Sequence, residues 1–463
     1  MSLSLDAEQS DTATHLALDS RWERFSRRPT ALDSHPISLD TGTKSKKPLF
    51  NSFWMAGFEA YDHINRHGQA LTLNTLTQHG AQAAADYARL APLQIHTVRE
   101  SVGWRLSECD GRFDFSHLAP RARAAAANGV QVIWTLMHYG WPQELNILSE
   151  DFVRHFSRYA GAAARYLSRY SGEDPVYAPI HEISYLSWAL CEGPMTPPGG
   201  ALRGRGTEVK CQLVRAAIAA CDAIRAVDPR ARFLHADPLV HIVAPVDRPD
   251  LNEAAAAQRE QQFEVWDMLC GRTQSGLGGA PRYLDIIGLD YFPGNQWELA
   301  TGRALPWHTR DPRRAALADL LAAVHRRYDR PLLIAETGHT GVERGRWVRD
   351  VATEVRTACE RGVAVEGVCL YSVLDRPDWN NTSQWLGSGL WSVEPGANGT
   401  ARRVLNHGYA SDLRLAQASL MDTSRIGTVV RQPGVSAKRS QTAQAPSAPR
   451  ATAKPPAPLS ARS

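Results

Sequence analysis

The chain has 463 residues, 43% of them hydrophobic and 22% charged, values that exclude a disordered or fibrous protein and leave ample material for one large core. Its formal charge is +4, but seven basic residues and no acidic one lie from Thr423 onward, which leaves the rest of the chain at −3. That distribution argues against a nucleic-acid partner, since the folded part carries no basic excess and the tail has no aromatic residue after Met421 to stack on a base.

In chain order, residues 1–48 are polar and without apolar periodicity, and they are expected to form an arm. Eight short apolar runs follow: 53–59, 95–100, 130–137, 176–180, 231–236, 285–289, 331–335 and 367–372. Their starts are 35 to 55 residues apart, room for a strand, a helix and two loops each time. Between them, segments such as 151–171 and 208–227 place apolar residues at i, i+3, i+4 and i+7, the pattern of a helix packed on one face. Eight such units predict an α/β protein with a single (β/α)8 TIM barrel over 49–420. The first strand is followed by no GxGxxG turn, which disfavours an open doubly wound sheet. Residues 421–463 are rich in Ala, Pro, Ser and basic residues and are expected to be a disordered tail.

Seven scattered cysteines without a CxxC pair read as reduced thiols. The segment MSLSLDAEQSDTATH carries acidic residues and lacks the apolar core of a secretory signal, and no membrane-length apolar run occurs. The expected location is the cytoplasm, with no membrane partner. For a metal, HADPLVH at 235–241 is the one candidate, and His235 and His241 read as pocket or packing residues. No metal and no organic cofactor are expected. The sequence assigns no oligomeric state.

In a barrel of this kind the active site lies at the C-terminal ends of the strands. Those positions hold Arg99 and Glu100 after the second run, His138, Tyr139 and Trp141 after the third, and His181 and Glu182 after the fourth. Asp290 and Tyr291 follow the sixth run and Glu336 the seventh, with Tyr371, Asp375 and Trp379 after the eighth. A lone strand-end glutamate is more often ion-paired than catalytic; several convergent ones define a cleft. Glu182 and Glu336, on opposite walls of one mouth, meet the need of a retaining glycosidase for two carboxyls about 5–5.5 Å apart.

The segments themselves resemble family 1 of the glycoside hydrolases over roughly residues 53–410. FWMAGFEAYDH resembles the family's opening strand, TVRESVGWRLSECDGRFDFSHL its RFSxxW segment, and WTLMHYGWPQEL its TLxHxxxPxxL segment. DIIGLDYFP resembles GxNYY, LLIAETG resembles ITENG, and YSVLDRPDWNN with SGLWSVE resembles WSxxDNFEW with FGLxxVD. The resemblance implies a retaining β-glycosidase that cleaves a small-molecule saccharide or glycoside, with Glu336 as nucleophile and Glu182 as acid/base. It implies Arg99 beneath the nucleophile, His138 on a sugar hydroxyl, Trp379 as a stacking platform and Asp378 where the family has a sugar-gripping Glu. Trp104 and Trp141 are expected as further walls of the sugar site.

Four departures stand out against that pattern. His181 replaces the Asn before the acid/base, Asp290 replaces the Asn of GxNYY, and Phe292 stands where a nucleophile-supporting Tyr is expected. Tyr291 would take over that support after a shift of register. The family's first-strand Gln is absent, with Glu59, Asp62 and His63 nearby. These departures carry an alternative: a barrel that binds carbohydrate without hydrolysing it. Trp134 and Trp188 read as packing residues, and Asp375 as a brace of its loop.

Overall fold

The computed structural model describes residues 48–195, 200–309 and 311–429, the last nine by backbone alone. The expected arm at 1–48 and the tail from 430 therefore lie, but for residue 48, outside the described residues.

All eight apolar runs form the strands of one closed parallel barrel. They are β1 (Trp54–Gly57), β2 (Thr97–Ser101), β3 (Gln131–Met137), β4 (Val176–Ile180), β5 (Arg232–Pro238), β6 (Ile286–Asp290), β7 (Leu332–Thr337) and β8 (Val365–Leu370). Each pairs with the next, and β8 closes on β1 with Trp54 opposite Val368. Closure removes both sheet edges, so every strand is buried on its two sides.

The helical returns are α1 (His79–Ala88), α2 (Ala119–Ala127), α3 (Glu150–Leu167), α4 (Ile183–Cys191), α5 (Gly206–Val227), α6 (Asn252–Glu260), α7 (Glu264–Leu269), α8 (Leu317–Tyr328), α9 (Arg344–Glu360) and α10 (His407–Val429). Helix α3 shows how the sequence sets them. Ser149 caps it by accepting from the Phe152 N–H at 3.3 Å, satisfying an orphan donor. Phe152, Phe156, Tyr159, Ala160, Ala163 and Leu167 then share one buried stripe.

Two apolar layers result. One lies between strands and helices; the other is a plug inside the barrel, made by Phe50, Met55, Ile133, Val176, Leu234, Ile286, Leu333, Ala335 and Cys369 among others. Packing in the barrel is close: a side chain on Gly288 would meet the Ala236 backbone at 2.8 Å, which only glycine avoids.

A buried ionic chain fastens the outer parts to the barrel. Glu100 on β2 accepts from Arg121, His79 and Tyr87, at 2.7, 2.7 and 2.6 Å. Asp86 on α1 meets His79 on one side and both arms of Arg403 on the other, each arm at 3.0 Å. Burial alone would strip the His79 proton, but the flanking carboxylates of Glu100 and Asp86 outweigh it and hold the imidazole charged. Arg403 sits on the ribbon formed by Trp391–Pro395 and Ala401–Leu405, so this chain ties that ribbon to α1 and β2.

Helix α10 carries the backbone nine residues past the 420 boundary drawn from composition. Its described buried apolar contacts come from Tyr409, Ala410, Leu413 and Ala416, all before that boundary. A chain ended after residue 420 is expected to keep the barrel, with thermal unfolding within a few degrees of the full chain. A large loss of thermal stability would show that the later residues pack on the barrel.

Candidate active site

The strand ends converge on a cleft of about 200 Å³. His138, Tyr139, His181, Glu182, Glu336 and Trp379 all line it. Two of these residues are held in left-handed backbone, Tyr139 at φ 75° and Glu182 at φ 45°, a conformation that costs free energy and clusters at functional sites. For Glu182 the restraint is visible: its N–H donates to the Ala236 carbonyl at 3.0 Å while its own carbonyl accepts from Leu186 at the start of α4.

Arg99 is the central cation. Fully buried, it donates to the Ala335 carbonyl at 2.6 Å, pairs with Glu59, and stands 3.5 Å from Glu336 and 3.4 Å from His181 Nδ1. His138 Nδ1 lies 3.3 Å from Glu59. The other nitrogen of His181, Nε2, is 3.4 Å from Glu336 and 3.7 Å from Glu182. One imidazole thus stands between the two glutamates, which face the same small volume. Tyr139 donates its hydroxyl to Glu182.

Burial sets the charge pattern. It raises the Glu59 carboxyl, but Arg99, assisted by His181 and His138, outweighs it and holds Glu59 well below the usual range. For Glu182, burial prevails over the Tyr139 hydroxyl and the facing Asp290 carboxyl and pushes the group up to about 7. Burial also raises Glu336 and Asp290 well above the usual range, with neighbouring carboxylates adding to it. Arg99 and Arg376 oppose the rise at Glu336. His138 and His181 are driven toward the neutral form, first by burial.

Several expected residues lie elsewhere. Tyr291 is buried behind the barrel wall, stacked on Trp347 and bonded through its hydroxyl to Gln296 and Arg314. Since Asp290 faces the mouth, its strand neighbour must face away, so the register shift does not occur and Phe292 lines the cleft instead. Asp378 accepts from the N–H groups of Asn380 and Asn381; it shapes a turn and does not line the cleft. Trp141 lines a second cleft of about 270 Å³ with Arg105, Asn65 and Gln143. Trp104 is core, packed on Phe152, Phe156 and Tyr159. Asp375 braces its loop by accepting from Arg376 and Ser388 N–H groups.

Other lining residues were not singled out from the sequence: Tyr185, Asn295, Arg376 and Trp385. Trp385 is 38% exposed, an aromatic face at the lip of the cleft. Glu59 was noted only as a neighbour of a missing Gln. Its place at the end of the first apolar run is the signal that would have found it.

The fold is one that β-glucosidases share. A family 1 β-glucosidase from Thermotoga maritima superposes with a TM-score of 0.64 at 13% identity, over 80% of this chain and 97% of that one. The same organism's β-glucosidase in complex with deoxynojirimycin gives 0.65 at 14%, over 80% and 98%. The AHE enzyme from Alicyclobacillus herbarius gives 0.63 at 15%, over 81% and 99%. At these identities the likeness is one of fold. No family model and no curated protein matches the chain. Among the described residues no helix is long and apolar enough to cross a membrane.

Proposed function

We propose that the protein is a retaining β-glycosidase acting on a β-linked saccharide or glycoside, with Glu336 as nucleophile and Glu182 as acid/base. The observation that carries this reading is the meeting of Glu182 and Glu336, from the ends of β4 and β7, across His181 in one cleft, with Arg99 against Glu336. Glu182 has the surroundings of a proton donor, because burial pushes its carboxyl up to about 7 against the opposing Tyr139 hydroxyl. Glu336 has the Arg99 and Arg376 guanidiniums acting against the rise that burial imposes on it, the kind of neighbour that favours the ionised form a nucleophile needs. Trp379, braced edge-on by Tyr61, His63 and Tyr139, and the exposed Trp385 supply faces on which a sugar ring stacks. The β-glucosidase neighbours, one of them holding deoxynojirimycin, agree with a saccharide ligand. The seven cysteines form no disulfide, in keeping with a cytoplasmic, reducing setting.

A panel of 4-nitrophenyl β-glycosides differing in the sugar tests the reading; at least one should be turned over with retention at the anomeric carbon. A second reading, a barrel that binds saccharide without cleaving it, is favoured by Phe292, which lines the cleft at the position where the resembled family has a nucleophile-supporting Tyr. Saccharide binding without turnover of any glycoside would select it. In an active enzyme, Phe292→Tyr should raise kcat about tenfold, the worth of one hydrogen bond to a charged group. A rate that falls or stays unchanged would show that Glu336 needs no such donor.

A further inference from the structure

The two positions at which neutral amides of the resembled family are replaced by metal-ligand side chains, His181 and Asp290, meet in space. With Glu336 they offer three ligand atoms that all lie within 4.8 Å of one another, every one buried. Glu182 adds a fourth oxygen, 3.7 Å from His181 Nε2. Asp290 is fully buried, and among the described residues no donor reaches either of its oxygens. Its carboxyl faces that of Glu182, one acceptor against another, an arrangement that needs a proton or a cation between them.

We infer that this cluster is a site for a divalent first-row cation, held by His181 Nε2, Asp290, Glu336 and Glu182. Four carboxyls, those of Glu59, Glu182, Asp290 and Glu336, share the mouth with Arg99 and Arg376. Bound as carboxylates, the four would outnumber the two guanidiniums, and a divalent ion offsets that difference. One imidazole with carboxylate oxygens is a donor set suited to zinc or manganese. A second buried group, Glu59 with His138 and His181, serves this ion poorly, because Arg99 already occupies Glu59. Glu59 instead supports the site from behind: its oxygen stands 3.7 Å from His181 Nδ1. The Arg99 guanidinium also stands 3.4 Å from Nδ1, so metal binding at Nε2 requires the tautomer in which Nδ1 gives its proton to Glu59 and Arg99 makes no bond to the ring. With the ion bound, the Glu336 oxygen is engaged, so cation and sugar chemistry exclude each other. The inference does not rest on the glycosidase reading.

The test uses the full chain, stripped with a chelator and desalted, then titrated with Zn²⁺. Equilibrium dialysis with elemental analysis should give one ion per chain, and thermal unfolding should shift upward. X-ray absorption on the zinc form should show one imidazole, the remaining ligands being oxygen. Asp290→Asn and His181→Asn restore the amides of the resembled pattern, which suits them to fold, and each should weaken binding at least about tenfold. The inference is overturned by no binding, by wild-type affinity in both variants, or by a zinc shell with no imidazole or several. It is also overturned if Asp290→Asn raises thermal stability while Zn²⁺ leaves the wild type unaffected, since a shared proton then fills the gap. Should a variant fail to fold, the wild-type absorption spectrum decides alone. Turnover of glycosides without cation binding would sink this inference and leave the glycosidase reading intact; cation binding together with no turnover by the metal-free chain would do the reverse.

Discussion

Replacing Glu336 by alanine should abolish turnover of every glycoside, by roughly ten-thousand-fold or more, because no glycosyl-enzyme forms without the nucleophile. Replacing Glu182 should fail differently. A substrate with a good leaving group needs little protonation, so glycosylation survives in Glu182→Ala while the intermediate waits for a general base. Azide needs no base; added to Glu182→Ala it should restore turnover and yield a β-glycosyl azide. The Tyr139 hydroxyl on Glu182 and the guanidinium beside Glu336 give the two carboxyls different surroundings, which is why their losses should not look alike. If Glu182→Ala keeps wild-type rates on activated and unactivated glycosides alike, Glu182 is not the acid/base.

The second large effect is on stability. Arg99 is wholly buried and meets Glu59, Glu336, His181 and the Ala335 carbonyl at once. Arg99→Met removes the cation and strands the Glu59 carboxylate in a dry layer, a change that costs about 3–5 kcal/mol for a broken buried pair. Removing both charges should be milder. The double variant Glu59→Gln, Arg99→Met is expected to recover much of the loss, read as a coupling in a denaturant-unfolding cycle. Equal losses in the single and double variants would mean that Arg99 acts through its carbonyl contact and not through the ion pair.

The barrel was legible because eight apolar runs at regular spacing have few other uses, and all eight became strands. Within the site, Arg99, His138, His181, Glu182 and Glu336 were found by one rule, that strand ends face the mouth. The same rule misplaced Tyr291, because two neighbours on one strand cannot both face inward, and Asp290 had taken the inward place. Past the last strand the rule has no purchase. Asp378 and Trp379 are adjacent in a loop, where Asp378 closes a turn with Asn380 and Asn381 and Asn65 donates to the Trp379 carbonyl at 2.9 Å, and Trp379 lines the cleft while Asp378 does not. Trp104 and Trp141 show the same limit: an aromatic after a strand end reads alike whether it packs on α3 or lines a cleft. The pairing of Glu59, two residues past the end of β1, with Arg99 on β2 is made across two neighbouring strands about forty residues apart in the chain, a contact that local sequence does not display.

The apolar plug inside the barrel has a consequence for exchange. Met55, Ile133, Leu234, Ile286, Leu333 and Cys369 fill the space beneath the charged layer, so water, protons and ions reach that layer from the mouth side of the barrel. The layer is a cul-de-sac. Whatever ring settles against Trp379 and Trp385 also covers the cleft above Glu182 and Glu336, and exchange of protons and of any ion beneath it then slows until the ring departs. Solvent-isotope exchange at the buried imidazole nitrogens should therefore slow in step with the residence time of a bound sugar.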